Sequence, residues 1–128
     1  MTYYSTVDKT AFADDSRTTL GTGLATVLGY SGGCANSGTA GYFGGGYYTT
    51  PSSVYVNAID KFAFSDDSRT TLSATLSSSR YDLAAMANSG VAGYWAGGTG
   101  NYIGTVTTID KIAFAGDTRT TLSAGLSE

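Results

Sequence analysis

The chain has 128 residues, of which only 13% are charged, with a net charge of −3 and a single cysteine; soluble domains usually carry about 25% charged residues. The seven basic residues are scattered, which argues against a nucleic-acid partner, and one cysteine excludes an internal disulfide. No apolar run approaches the roughly 20 residues of a membrane-spanning helix, and the start of the chain lacks the basic and apolar stretches of a secretory signal.

The amino-acid usage favours strands. Eighteen residues are glycine, whereas the chain has one glutamate, no glutamine and three lysines. Glycine, threonine, tyrosine, valine and phenylalanine favour turns and strands, and long-chain helix formers are scarce. We therefore expect an all-β protein.

The first predicted element is a β-hairpin, here called the IDK hairpin, which occurs three times. Its first strand in the middle copy alternates, with Asp60, Phe62 and Phe64 on one face and lysine and alanine on the other. The pattern predicts that these phenylalanines and their counterparts are core residues. The three copies of the first strand lie at 7–12, 59–64 and 109–114, and the second strands begin at Arg17, Arg69 and Arg119.

The second predicted element, here called the glycine hairpin, occurs twice, at 36–46 and 88–98. Its turn Asn88-Ser89-Gly90 contains residues that tolerate positive φ. We expect Val91 to begin the return strand in a buried position, so that Val91→Asp would damage folding.

The elements alternate along the chain as IDK, glycine, IDK, glycine, IDK, which predicts five hairpins and about ten strands. The first IDK strands are 52 residues apart and the later ones 50 residues apart. Two hairpins make a unit of about 50 residues, the size of one kelch-type propeller blade. We expect one domain over residues 1–128, with a half blade at 1–24 and repeats at 25–76 and 77–128.

The glycine hairpins resemble a known family. The segments Gly41-Tyr42-Phe43-Gly44-Gly45 and Gly93-Tyr94-Trp95-Ala96-Gly97-Gly98 resemble the double-glycine signature of kelch-like β-propellers. Together with the Ile-Asp-Lys strand, they resemble repeats of bacteriophage structural and tail-associated proteins and of some bacterial surface proteins. The resemblance implies about two and a half four-stranded blades, whereas a closed propeller takes about four to eight.

An incomplete propeller leaves strand edges and an apolar face open at its ends. We therefore expect a homo-oligomer or a complex with a larger structural protein. The resemblance implies a non-enzymatic structural or interaction protein of a phage virion, tail or capsid, or of a surface appendage, located in the virion or at an extracellular surface. The alternative is a lectin-like module that binds carbohydrate for attachment to a host or surface.

The sequence offers no catalytic residues and implies no cofactor. The chain has no histidine, which removes Ser-His-Asp chemistry and the commonest metal ligand. Cys34 aligns with Met86 in the other repeat, so it is interpreted as a core residue rather than a nucleophile.

Charged residues recur at the same positions in each repeat. We expect Asp67 and Arg69, and their counterparts, to hold the turn or to bridge to the neighbouring blade. The other interpretation is a calcium site at Asp14-Asp15 and Asp66-Asp67, but two carboxylates supply few of the six to eight oxygens that calcium takes.

Aromatic residues near the variable loops are the candidate binding residues. They could stack on sugar rings or pack against a protein, and the open array favours the protein interface. In each adjacent pair, Tyr42/Phe43 and Tyr94/Trp95, one ring should face the core. The candidate site consists of Tyr47, Tyr48, Tyr55, Trp95, Asn101 and Tyr102.

Overall fold

The protein is all-β, as predicted. The computed structural model describes residues 1–49, 51–101 and 103–127, and these ranges contain thirteen strands and no helix. The strands form four small antiparallel sheets, none of which closes into a barrel.

The first hairpin and the two four-stranded sheets follow one another along the chain, and the strands of a small sheet alternate in sequence with those of the third. The first hairpin contains β1 (Asp8–Thr10) and β2 (Arg17–Thr19). The second sheet contains β3 (Gly32–Asn36), β4 (Ala40–Thr49), β5 (Ser53–Ala63) and β6 (Arg69–Thr71). The third sheet contains β8 (Ala84–Asn88), β9 (Ala92–Ala96), β12 (Ile109–Ala113) and β13 (Thr118–Thr121). A small sheet contains β7 (Arg80–Tyr81), β10 (Thr99–Gly100) and β11 (Gly104–Thr105).

Ten of the strands form the five predicted hairpins, β1–β2, β3–β4, β5–β6, β8–β9 and β12–β13. In both four-stranded sheets the glycine hairpin pairs with the IDK hairpin that follows it, through β4–β5 and β9–β12. The first IDK hairpin has no glycine hairpin before it and forms a two-stranded sheet. The description of these units as kelch-like blades remains a prediction.

The small sheet was not predicted. In the second sheet, β4 continues past a bulge between Gly44 and Gly46 and stays paired with β5 to Thr49↔Ser53. In the third sheet, β9 ends at Ala96, and the chain after Gly98 forms β10 and β11 instead. The two repeats diverge here because their loops differ in length and sequence.

The core lies between the second and third sheets. The side chain of Trp95 is fully buried there, and its Nε1 donates a hydrogen bond of 3.0 Å to the carbonyl oxygen of Gly32. The ring of Tyr42 stacks on Phe114 with 5.0 Å between centroids. A Cβ atom on Gly44 would lie 2.8 Å from Nε1 of Trp95, so glycine allows the close approach of the two sheets. The buried apolar residues of this core are Ala40, Tyr42, Ile59, Leu72, Leu76, Leu83, Trp95, Ile112 and Phe114.

The structure corrects three burial predictions. Phe62 and Phe114 are buried as expected, but Phe12 is 99% exposed and Phe64 is 43% exposed. Phe12 is exposed because no sheet covers that face of the first hairpin. Val91 is 50% exposed, because it belongs to the turn and its N–H binds the carbonyl oxygen of Asn88. The buried residue at the start of the return strand is Ala92.

Candidate functional site: sheet ends and a tyrosine cluster

In the second and third IDK strands, the aspartate binds the segment that follows the preceding IDK hairpin. The carboxylate of Asp60 accepts a hydrogen bond of 2.7 Å from the backbone N–H of Ala25. Asp110 accepts hydrogen bonds of 2.8 Å from both the backbone N–H and the hydroxyl of Ser77. Ala25 and Ser77 both lie five residues after the leucine that ends the hairpin, so the contact repeats with the sequence.

Asp110 is the most enclosed of these aspartates. Its carboxylate also receives hydrogen bonds from Arg80 at 2.9 Å and Thr121 at 2.7 Å. Burial alone would raise the pKa of Asp110, but the hydrogen bonds from Thr121 and Ser77 and the Arg80 charge hold it below the ordinary value.

A second repeated contact joins neighbouring IDK hairpins. Nζ of Lys9 lies 2.8 Å from Oδ1 of Asp67, and Nζ of Lys61 lies 2.7 Å from Oδ2 of Asp117. The hydroxyl of Tyr42 donates a further hydrogen bond of 3.1 Å to Asp117. The prediction that the turn aspartates bridge neighbouring units is therefore confirmed for these two.

The outer face of the third sheet, directed away from the second sheet, is open. Residues directly opposite on paired strands share a face, and the outer face therefore carries Tyr94 and Lys111, which are cross-strand partners. Met86 on the same face is 60% exposed. Nζ of Lys111 lies 6.0 Å from the ring centroid of Tyr94, and it forms no ion pair within the described part of the chain.

The opposite end of the molecule is also open. Phe12 and Asp8 of the first hairpin are exposed, and so is Asp15, which has φ of 56°. A cavity of about 700 Å³ lies between the first hairpin and the second sheet, beside the edge of β1 where the other two units carry a glycine hairpin. Its apolar lining includes Phe43, Phe62 and Phe64.

Tyrosine rings gather where the second sheet meets the small sheet. The centroids of Tyr47 and Tyr55 are 5.2 Å apart, and each lies within 5.6 Å of Tyr81. Tyr3 and Tyr30 extend the group, each with a ring centroid 6.0 Å from one of its members. We call these five residues the tyrosine cluster.

The structure brings together only part of the predicted binding set. Tyr47 and Tyr55 are in the tyrosine cluster, and Tyr48 is a half-buried residue of β4. Trp95 belongs to the core and offers no surface to a partner. Asn101 is exposed next to β10, whereas Tyr102 lies outside the described residues.

Three members of the tyrosine cluster were missed by sequence reasoning. Tyr81 aligns with Gly29 of the preceding repeat, and Tyr30 aligns with Asp82. Repeat alignment therefore gave no reason to select them. Only the structure shows that Tyr30 and Asp82, both with positive φ, occupy the same position of a turn.

The acidic turns are occupied by their own hydrogen bonds. The side chain and the backbone N–H of Ser16 lower the pKa of Asp14 by hydrogen bonding. The hydroxyl and the backbone N–H of Ser68 lower the pKa of Asp66 in the same way. Within residues 1–49, 51–101 and 103–127, no group of three or more His, Cys, Asp or Glu side chains is placed to hold a metal ion.

Cys34 lies between the two large sheets. Burial raises the pKa of its thiol to about 11, so the group is protonated at neutral pH. This position agrees with the interpretation of Cys34 as a packing residue.

The described ranges contain no helix that is long and apolar enough to cross a membrane. Neither the models of known protein families nor the curated proteins include one that matches this chain.

Proposed function

We propose that the chain is a non-enzymatic structural protein that assembles through the open ends of its stack of sheets. The observation that carries this proposal is the correspondence between two faces. The face of the second sheet that packs on the third sheet contains Cys34, Tyr42 and Lys61. The outer face of the third sheet has the corresponding residues Met86, Tyr94 and Lys111.

This correspondence supports assembly because the same arrangement of side chains is covered in one place and uncovered in the other. Tyr42 is 1% exposed whereas its counterpart Tyr94 is half-buried, and Cys34 is half-buried whereas its counterpart Met86 is 60% exposed. Uncovered apolar surface on a sheet is typical of an interaction site. The resemblance to phage and surface-protein repeats favours a virion or a surface appendage as the setting.

The mass of the protein in solution tests the proposal. We expect particles heavier than one 13.1-kDa chain, increasing with concentration, by light scattering. Met86→Arg should reduce association without loss of folding, because the side chain is exposed. Val27→Arg, which changes another exposed apolar residue outside this face, is the matched control. Protein that remains monomeric at every concentration would contradict the proposal.

A second candidate is carbohydrate binding through the tyrosine cluster. Tyr30 is 47% exposed, and aromatic rings of this kind can stack on the apolar face of a sugar. A glycan array with wild-type protein and the Tyr30→Ala variant tests it. Binding that is lost in this variant would support the second candidate, and absence of binding to every glycan would argue against it.

A further inference from the structure

We propose that the assembly is head to tail, with the first hairpin of a second copy of this chain seated on the outer face of the third sheet. Asp15 of that copy would then bridge to Lys111. This inference rests on the proposed assembly function and names the partner in that assembly. Neighbouring units inside the chain are joined by a repeated contact, and the two ends of the chain carry the two halves of one further contact of this kind.

The contact occurs twice within the chain. In both instances the lysine of one IDK strand binds the turn aspartate of the next IDK hairpin, Lys9 with Asp67 and Lys61 with Asp117. The series leaves one lysine and one aspartate over. These are Lys111 in the third IDK hairpin and Asp15 in the first, and neither forms an ion pair among the described residues.

The unpaired aspartate already has the conformation that the paired ones adopt. Asp15 has φ of 56°, against 57° for Asp67 and 49° for Asp117. Its turn therefore presents the carboxylate in the same way, and docking requires no rearrangement of this backbone. Preorganisation of this kind lowers the entropic cost of association.

An aromatic contact would accompany the bridge. Inside the chain, Phe114 stacks on Tyr42 of the preceding sheet, and the hydroxyl of Tyr42 binds the bridging aspartate. At the ends, the corresponding residues are Phe12, which is 99% exposed, and Tyr94 beside Lys111. A head-to-tail joint places Phe12 of the second copy against Tyr94, which removes the most exposed phenylalanine from water.

The third repeated contact is also available. The backbone N–H groups of Ala25 and Ser77 bind the aspartates of the following IDK strands. The position corresponding to them after the last IDK hairpin is Ser127, and the aspartate without such a donor is Asp8 at the other end. One orientation of two copies therefore satisfies the charge, aromatic and backbone contacts together.

The two surfaces of this joint differ, so the association is heterologous and continues from copy to copy into a ring or a filament. The joint leaves the cavity beside β1 of each copy unfilled, because the first hairpin docks without a glycine hairpin paired to its free edge. The occupant is a second copy of the chain because its Asp15, Phe12 and Asp8 match all three contacts that join neighbouring units.

The test is a charge exchange followed by sedimentation velocity over a concentration series at low salt. Asp15→Lys and Lys111→Asp, each alone, should weaken self-association by roughly tenfold or more, since each places like charges together. An equal mixture of the two variants, and the double variant, should regain association. Asp82→Lys is the matched control, because Asp82 is also exposed and has φ of 55°.

Phe12→Ala supplies a test that does not depend on charge. The ring contacts so little of its own chain that its removal should leave the melting temperature of the dilute monomer unchanged, while self-association weakens by about tenfold or more. Association that all these variants leave at the wild-type level would overturn the head-to-tail joint but not the proposed function. A wild-type protein that never associates would overturn the proposed function itself.

Discussion

Nζ of Lys61 lies 2.7 Å from Oδ2 of Asp117, and the side chains of both residues are 26% exposed. The pair joins two IDK hairpins that are 50 residues apart in the chain. It is less exposed than the equivalent bridge between Lys9 and Asp67, whose side chains are 47% and 36% exposed. Shielding from water makes an ion pair stronger, so the inner bridge should contribute more to stability.

We expect Lys61→Met to lower the free energy of unfolding by about 1 kcal/mol, because it removes the bridge and leaves Asp117 with one polar partner fewer. Lys111→Met, at the equivalent position without an ion pair among the described residues, should change it by less than about 0.5 kcal/mol. Urea denaturation of both variants, at a concentration low enough to keep the protein monomeric, measures the difference. Equal effects would contradict a stabilising bridge.

The same pair predicts a dependence on alkaline pH. The hydrogen bond to Asp117 raises the pKa of Lys61 above its ordinary 10.5. A raised lysine pKa means that the stabilisation is complete below 10.5 and is lost as the pH rises through the folded-state value. The difference in unfolding free energy between wild type and Lys61→Met should therefore be constant near neutrality and shrink above pH 10.5.

The aspartates of the IDK strands should differ in their response to substitution. Asp110→Asn should cost about 3–5 kcal/mol, since it leaves the fully buried Arg80 without its counter-charge. Asp8→Asn, at the exposed equivalent position, should leave the urea midpoint nearly unchanged. If Asp110→Asn does not fold, Thr121→Val, which removes one hydrogen bond to the carboxylate, provides a milder measurement. Similar costs for the Asp8 and Asp110 variants would refute this prediction.

Lowering the pH should destabilise the folded protein through protonation of Asp110. Its pKa is lowered in the folded protein, so its contribution is present above the ordinary value of 3.8 and is lost as the pH falls through the folded-state value. The difference in unfolding free energy between wild type and Thr121→Val should therefore narrow below pH 3.8. A difference that stays constant to lower pH would mean that Thr121 does not act through the charged carboxylate.

The repeat made the hairpins predictable but not the burial of their residues. Alternation within each strand identified the face on which Phe12, Phe64 and Phe114 lie. Phe114 is buried because the second sheet covers it, whereas Phe12 has no preceding unit and is exposed. Residues that are equivalent in sequence differ here in burial because different sheets pack against them. The repeated sequence of one unit does not indicate which unit covers it.

The candidate sites were predictable to a smaller extent. The bridging role of Asp67 followed from its recurrence, whereas the meeting of Tyr47 with Tyr81 did not. That contact depends on the bulge at Gly45, which lets β4 continue towards the small sheet. A bulge shifts the register and reorients the residues that follow it, so strand alternation alone does not predict which loop tyrosines meet.

Cys34 should react slowly with alkylating reagents. With its pKa raised to about 11 from an ordinary value of 9.0, the thiol has a much smaller thiolate fraction at pH 8 than in the unfolded chain. Alkylation by iodoacetamide in buffer should therefore be slower than in urea by about tenfold or more, as measured by mass spectrometry. A rate equal to that in urea would mean that the thiol is not held between the sheets.

Two glycines of the second sheet should respond in opposite directions to substitution by alanine. A Cβ atom on Gly44 would lie 2.8 Å from Nε1 of Trp95, so Gly44→Ala has to separate the sheets and should cost about 1–3 kcal/mol. On Gly33 the nearest atom would be 3.4 Å away, on the Phe43 ring, which is an ordinary contact. Gly33→Ala should therefore stabilise the protein by about 0.4–1 kcal/mol, because it restricts only the unfolded chain.

Thermal and urea denaturation of the two variants measure this contrast, and the fluorescence of Trp95 reports whether its surroundings change. We expect an altered emission spectrum for Gly44→Ala and an unchanged one for Gly33→Ala, since only Gly44 contacts the indole. Both variants replace a strand glycine with alanine, so comparing them cancels the general effect of alanine on strand formation. If Gly44→Ala were as stable as Gly33→Ala, the close approach of the second and third sheets at Trp95 would be wrong.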